Sequence, residues 1–291
     1  MRDVALSVLL VAAAAASALL AGCAAGPASD APRRVEVSSA LSDYNLSTRS
    51  DGQHRVWARS LAGFAGAHIV ESEHTAAGWS PARPLPFADP RYRDSDPWLT
   101  PDGTTLYFIS DRPLPQRPSA KDLNIWRVQR TAAGWGVPQP LGDEVNSEAE
   151  ELGPELHDGV LYFGSNRRGG AGGLDIYTAA QQGDGFASAR ALPAPVNTAG
   201  SESDPTLSPD GRTLVFWRVA GRRLVLHRAE RQGEGWGEPV PLAERFNPGS
   251  QQITPSFSAD GRTLSFASDA GGTAAAGDPR ALFDLYAATW R

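Results

Sequence analysis

Acidic side chains recur at a fixed place along this sequence, three residues before a proline. Four positions share this offset: Asp94, Glu151, Glu202 and Gln252, which precede Pro97, Pro154, Pro205 and Pro255. The same register, extended upstream to a copy in which Leu46 takes the proline place, adds Asp43. Four of the five side chains are carboxylates, and carboxylates held close together attract a cation or a basic segment of a partner. Their oxygens also suit hard cations such as calcium.

Other reactive groups are sparse. The five histidines show no HExxH or comparably tight spacing with carboxylates, so they predict no metal site. No Gly-x-Ser-x-Gly nucleophile motif occurs. The glycine run Gly169–Gly173 lacks the Lys-Ser/Thr of a phosphate-binding loop, and we interpret it as a hairpin loop. The sequence therefore predicts a protein that is not an enzyme and needs no cofactor.

The strands that must position the acids belong to an internal repeat. Each copy has an apolar strand, a turn ending in glycine, a second apolar strand, a loop and a third strand. A Gly-Trp or Gly-Phe pair followed by prolines marks a fourth strand, which proline restricts to the sheet edge. Four strands in about 50 residues favour a β-propeller. The turn glycines recur at intervals of 51, 56, 52 and 50 residues: Gly52, Gly103, Gly159, Gly211 and Gly261.

The repeat resembles a known family. The turns TPDG, SPDG and SADG, the strands LYFISDR and LYFGSNR, and the closing LDIY and FDLY are similar to TolB-like, WD-type propeller repeats. The resemblance covers about Asp43 to Tyr286. Five copies predict an all-β propeller of five four-stranded blades, with six, as the relatives imply, as the alternative. The last copy lacks a fourth strand, and Arg34–Val37 (RVEV) is the spare strand that would close its blade.

The resemblance also gives the acids a location. In propellers of this family the first strand of each blade lines the central channel, so the acidic positions would form a ring at one channel mouth. This ring is the candidate site for a partner, with a calcium ion as a lesser alternative, and Asp96 and Asp204 would add charge nearby. The residues favour a structural interpretation over a binding role: Arg112 and Arg167 would pair with acids on neighbouring blades and clamp the blades together. The ring consists of Asp43, Asp94, Glu151, Glu202 and Gln252.

The amino terminus predicts export and a lipid anchor. An apolar run from Val4 to Leu20 follows Arg2, and Leu20-Ala21-Gly22-Cys23 resembles a bacterial lipobox. This implies a signal peptide over residues 1–22 and lipidation of Cys23, with an uncleaved anchor as the alternative. Residues 23–33 then form a flexible tether and 34–291 the propeller. Ala24 after the cysteine implies the periplasmic side of a bacterial outer membrane.

Together these features predict a binding protein. A net charge of −6 without a basic run disfavours nucleic acid as a partner. We predict a non-catalytic, lipid-anchored envelope propeller that binds or scaffolds an envelope protein. The least repeat-like segments, Pro113–Lys121 and Gly271–Arg280, are its expected contacts. A propeller that binds a glycan, or acts on one as a lyase does, is the alternative.

Overall fold

A computed structural model describes residues 31–271 and 282–291. Over these ranges the chain forms five antiparallel sheets around one axis. The inner strands of successive sheets contact one another, and the inner strand of the fifth sheet contacts that of the first, so the ring is closed. The fold is a five-bladed β-propeller, which confirms the predicted blade number.

Blades 1 to 4 each have three long strands and an outer strand broken into two short pieces, whereas blade 5 has three long strands and a piece from the amino terminus. The blades are, in order, β2–β6, β7–β11, β12–β16, β17–β21, and β22–β24 with β1. The strands are β1 (Arg33–Arg34), β2 (Ser42–Thr48), β3 (His54–Ser60), β4 (His68–Thr75), β5 (Gly78–Trp79), β6 (Arg83–Pro84), β7 (Asp94–Leu99), β8 (Thr105–Ser110), β9 (Asn124–Thr131), β10 (Gly134–Trp135), β11 (Gln139–Pro140), β12 (Glu151–His157), β13 (Val160–Ser165), β14 (Asp175–Gln182), β15 (Gly185–Phe186), β16 (Arg190–Ala191), β17 (Glu202–Leu207), β18 (Thr213–Ala220), β19 (Arg223–Gln232), β20 (Gly235–Trp236), β21 (Val240–Pro241), β22 (Gln252–Phe257), β23 (Thr263–Ser268) and β24 (Asp284–Thr289), and two short 3-10 helices cover Ala62–Phe64 and Glu244–Phe246.

The turns between first and second strands all lie on one face of the ring, the turn face. In blade 4 the Ser208 hydroxyl and the Arg212 amide both donate to the Asp210 carboxylate, at 2.6 and 3.1 Å. Gly211 completes this turn with φ +67°, a conformation that glycine adopts without steric cost. The opposite face, the mouth face, carries the starts of the inner strands and the loops between second and third strands.

In blades 2, 3 and 4 the aromatic residue of the outer strand packs between blades. Trp135 of blade 2 lies against the apolar cluster that contains Val56 and Ile69 of blade 1, and its indole N–H donates to Glu71 at 3.3 Å. Trp236 of blade 4 joins the cluster of blade 3 in the same way. These aromatics therefore hold adjacent sheets together, and the proline-bearing pieces beside them are the sheet edges that the sequence predicts.

The amino-terminal segment closes blade 5, as predicted, but in a shifted position. Arg33 and Arg34 pair with the last strand, β24, and the Val35 amide then donates to the Leu285 carbonyl at 2.7 Å. The predicted strand Arg34–Val37 is thus wrong by one residue at its start, and pairing stops before its end. The reason is a turn at residues 36–37 that carries the Val37 side chain into the core.

Several predictions concern parts of the chain outside the described residues. They are the signal peptide, Cys23, most of the tether, and all but the first residue of Gly271–Arg280. No helix within the described ranges is long and apolar enough to cross a membrane.

Candidate functional site

Each inner strand is interrupted by a β-bulge at the same place, two residues after the predicted acidic position. The bulged residue has a left-handed backbone, which non-glycine residues seldom adopt. Four of the five precede a proline, which disfavours the right-handed helical conformation in the residue before it. The bulges therefore bring five equivalent residues to the channel axis: Asn45 (φ 52°), Asp96 (φ 49°), Gly153 (φ 53°), Asp204 (φ 53°) and Thr254 (φ 52°).

The bulged residues latch neighbouring blades to each other. Oδ2 of Asp96 accepts the Gly153 amide of the next blade at 3.0 Å, and Oδ2 of Asp204 accepts the Thr254 amide at 3.0 Å. The Thr254 hydroxyl accepts the Asn45 amide at 3.1 Å, which joins blade 5 to blade 1. The same position thus serves three of the five blade junctions, including the one that closes the ring.

The central channel is divided by these bulges and the prolines after them. The waist between them encloses only about 20 Å³. On the turn face lies a chamber of about 310 Å³ that includes Trp98, Glu155 and His157. On the mouth face lies a second chamber of about 260 Å³, the mouth chamber. The turn-face chamber is lined by inner-strand ends and turn residues and holds one buried carboxyl, Glu155. The mouth chamber combines apolar walls with two buried carboxyls, so it is the candidate site.

The walls of the mouth chamber are apolar and its floor is acidic. Its aliphatic walls include Ile109, Leu123, Leu152 and Ile253. Four aromatic residues complete the walls, and two of them, Tyr44 and Phe64, meet edge to face with ring centres 5.1 Å apart. Phe64 also stacks on Phe283 of blade 5 at 5.6 Å. The full aromatic set is Tyr44, Phe64, Trp217 and Phe283, and the floor carries Asp96 and Asp204.

The two floor carboxyls share one small space. Gly153 has no side chain there, and a Cβ on it would lie only 2.8 Å from Oδ1 of Asp204. Burial, and then the negative charge of Asp96, raise the pKa of Asp204 to about 7. Burial also raises the pKa of Asp96. On the far side of the waist, burial raises the pKa of Glu155 to about 7, although Glu155 accepts the Leu207 amide at 2.7 Å.

The predicted acidic ring lies elsewhere. Its members are at most 2% exposed and lie inside the blades, where each acid meets an arginine of its own blade. The blade 5 position, Gln252, instead accepts the Gly249 amide and the Ser268 hydroxyl. This burial favours the clamp interpretation, and the role of the ring in binding a partner or calcium stays a prediction. The ion pairs are Asp43–Arg59 (2.7 Å), Asp94–Arg112 (2.6 Å), Glu151–Arg167 (2.8 Å) and Glu202–Arg218 (2.9 Å).

The clamp differs from the predicted one in its partners. Arg112 and Arg167 pair with the acid of their own blade and not with one on a neighbouring blade, because antiparallel pairing places the end of the second strand beside the start of the first. The same guanidinium groups then donate to carbonyls of the linker from the preceding blade, at Phe87 and Val145. Each acid and arginine thus fasten the incoming linker to the inner strand.

The sequence does not predict the residues that line the mouth chamber, because side chains alternate between the two faces of a strand. The residue after each predicted acid, as with Tyr44, Leu152 and Ile253, faces the channel instead of the blade. A shift of one residue changes the face on which a side chain lies. Asp96 and Asp204 are the two chamber acids that the sequence places near the ring, and the proline after each is a sequence signal for the bulge.

The remaining sequence-predicted features have structural roles. His54 is buried and pairs with Glu71 at 3.0 Å. Gly169–Gly173 lies in the loop between the second and third strands of blade 3. Loop Pro113–Lys121 lies on the mouth face, but Leu114 within it is buried in the core. Among the described residues, no group of three or more His, Cys, Asp and Glu side chains is arranged to hold a metal ion.

Fold and site together define a five-bladed β-propeller with an apolar, acid-floored chamber at one end of its channel. No protein-family model matches the sequence, and a comparison with curated proteins also gave no match. Solved structures do match, and they include TolB proteins, so the chain has a TolB-like propeller fold.

Three solved structures illustrate the likeness. Crystalline TolB from Acinetobacter baumannii is 15% identical with a TM-score of 0.50, over 85% of this chain and 54% of that one. This chain therefore spans about half of that protein. A putative TolB from Agrobacterium tumefaciens is 15% identical with a TM-score of 0.54, over 86% and 90% of the two chains. The α-L-arabinofuranosidase from Lactobacillus brevis is 13% identical with a TM-score of 0.57, over 89% and 93%. At such identities the likeness concerns the fold alone.

Proposed function

We propose that this protein is a non-catalytic, lipid-anchored envelope propeller that binds a protein partner at its mouth face. The observation that carries the proposal is the distribution of exposed apolar side chains. Among the described residues, five large hydrophobic side chains are exposed, and three of them lie at the mouth face: Leu61 and Phe64 between β3 and β4, and Val219 at the end of β18. Phe64 lines the mouth chamber, Leu61 lies three residues before it, and Leu224, the cross-strand partner of Val219, lines the chamber too. Apolar surface gathered at one place is typical of protein interfaces.

The point at which the chain enters the fold supports this orientation. Strand β1 runs antiparallel to β24, so the chain enters blade 5 from the turn face. A lipid on Cys23 would therefore reach the domain from the turn side. The mouth face would then point away from the membrane, toward the periplasm where a partner is available.

The test compares two pairs of exposed apolar residues. Cells that carry the full-length lipidated protein are crosslinked, the protein is purified from the membrane fraction, and the captured proteins are identified. The variant L61D/V219D changes the mouth face, and V137D/V240D changes the outer edges of the blades as a matched control. We expect one abundant partner, lost only in L61D/V219D. Absence of a partner, or equal capture by both variants, would overturn the proposal.

A glycan ligand is the second candidate, and one observation favours it. Two carboxyls and four aromatic rings share the mouth chamber, and paired carboxyls are the groups that hydrolyse glycosidic bonds in many enzymes. Against this, each oxygen of Asp96 and Asp204 already accepts at least one hydrogen bond. Release of sugar from envelope polysaccharides is measured with and without a chelator. Turnover that depends on Asp204 would replace the binding-only proposal.

A further inference from the structure

The mouth chamber combines two features that a purely apolar docking site does not need. Its floor holds two carboxyls of blades 2 and 4, which converge on Gly153. Its walls carry four aromatic rings contributed by blades 1, 4 and 5. Aromatic faces attract cations through their quadrupole, and this attraction strengthens where the cation loses its water. Carboxyls below and aromatic rings around them together suit a cation with an apolar stem.

The size of the chamber limits what can enter. Its volume of about 260 Å³ falls just below the roughly 300–1,000 Å³ of typical small-molecule sites. One long side chain therefore fits better than a larger ligand. The aliphatic wall residues, such as Leu152 and Ile253, would cover a methylene stem and exclude water from it.

The positive charge at the rim does not oppose a cation strongly. Arg93 lines the chamber, but its guanidinium pairs with Asp111 at 3.1 Å, and the Arg93 amide donates to the same carboxylate. Tyr44 is the other titratable group of the lining, and burial raises its pKa, so its phenol stays neutral. The floor pair is therefore the only uncompensated source of negative charge among the described lining residues.

We propose that the mouth chamber takes the side chain of a lysine that the protein partner presents, with its ammonium group above Asp96 and Asp204. The proposal rests on the proposed function, since it names the group by which the partner is recognised. Lysine fits better than arginine because of the bonds already made on the floor. Oδ1 and Oδ2 of Asp96 accept the Ser95 hydroxyl and the Gly153 amide, and Oδ2 of Asp204 accepts the Trp217 indole and the Thr254 amide.

A guanidinium group needs two free, coplanar oxygens for its forked hydrogen bonds, whereas an ammonium group acts as a point charge and needs single lone pairs. The hydrogen bonds already made by Asp96 and Asp204 leave single lone pairs, which suit an ammonium group, but no free pair of coplanar oxygens. Binding of a cation would favour the charged form of the floor pair and release a proton. The affinity should therefore rise with pH through the range in which Asp204 titrates, near pH 7.

The test uses two small probes that differ only in charge and in the atom that carries it. Nα-acetyl-lysine N-methylamide and Nα-acetyl-norleucine N-methylamide are titrated into the full-length protein, and chemical shifts of protein methyl groups are followed by NMR. We expect the lysine probe to bind at least tenfold more tightly than the norleucine probe and to move the signals of Leu152 and Ile253. Its affinity should increase between pH 6 and pH 8, while that of the norleucine probe should not change.

Variants show whether the preference for the lysine probe arises from the floor of the mouth chamber. D96N/D204N should abolish the preference for lysine, and E155Q, which changes a buried carboxyl in the other chamber, should keep it. If D96N/D204N does not fold, F64A, which removes an exposed wall ring, should weaken the lysine probe severalfold. Equal binding of both probes by the unaltered protein would overturn the proposal. A partner that is still captured while the lysine probe does not bind overturns this inference alone, whereas probe binding without any partner overturns the proposed function.

Discussion

Glu151 and Arg167 form a buried ion pair, 2.8 Å between Oε1 and Nη2, at a place where blade 5 has neither charge. There Gln252 takes the position of the glutamate and Ala270 that of the arginine. In both blades a serine faces the first residue across the sheet, Ser165 in blade 3 and Ser268 in blade 5. The incoming linker is therefore held to the inner strand by a charged pair in blade 3 and by the neutral amide of Gln252 in blade 5.

The comparison predicts a non-additive pair of substitutions in blade 3. R167A alone should reduce the free energy of unfolding by about 3–5 kcal/mol, because it leaves a buried carboxylate without its partner. E151Q/R167A, which copies blade 5, should be more stable than R167A by about 1–3 kcal/mol. Denaturant unfolding of the two variants and of E151Q measures the difference. A double variant less stable than R167A would show that the two changes act independently.

A second prediction concerns the space between the floor carboxyls. Gly153 and Gly159 both have positive φ, so alanine at either position costs about 1–2 kcal/mol from backbone strain. Only at Gly153 would the new Cβ also meet Asp204, 2.8 Å from Oδ1 and 2.9 Å from Cα. G153A should therefore lower the unfolding free energy clearly more than G159A does, as measured by chemical denaturation. Equal losses would mean that the floor carboxyls can move apart freely.

The fold was readable from the sequence because the repeat marks every blade locally. Turn glycines such as Gly211 and the Gly-Trp pairs of the outer strands are short-range signals. The five turn glycines predict five blades. The site was not readable because Phe64 and Phe283 come from opposite ends of the chain, and no local pattern predicts that they stack. The alternation of side chains along the inner strands also separates Asp43, inside the blade, from Tyr44, in the channel.

A third prediction concerns closure of the ring. Deletion of residues 24–35 removes strand β1 and leaves β24 as an unpaired edge, which promotes pairing with other chains. We expect a lower unfolding temperature and self-association, measured by calorimetry and by light scattering after size exclusion. Deletion of residues 24–30, which keeps Cys23 and the strand, is the control and should behave as the unaltered protein does. A monomeric, equally stable 24–35 deletion would show that blade 5 holds without its outer strand.

The last prediction is a fall in stability as pH rises from 5 to 7. Burial raises the pKa of Asp204 and of Glu155 to about 7 in the folded protein, well above the ordinary values near 4 that apply when the chain unfolds. Between these limits the folded protein holds protons that the unfolded chain has released. Each group therefore lowers the unfolding free energy by up to about 1.4 kcal/mol per pH unit, and the loss is complete above pH 7.

One described group acts in the opposite direction. Burial lowers the pKa of His227, so its contribution makes the protein more stable as pH rises toward the ordinary histidine value. The variant D96N/D204N/E155Q separates the two effects, because it removes the three buried channel carboxyls whose pKa burial raises and keeps the histidine. Denaturant unfolding at pH 5, 6, 7 and 8 should give a falling stability for the unaltered protein and a flat or rising one for the variant. The same falling slope in both proteins would place the titrating groups elsewhere, and the carboxyls at the waist of the channel would then be charged in the folded state.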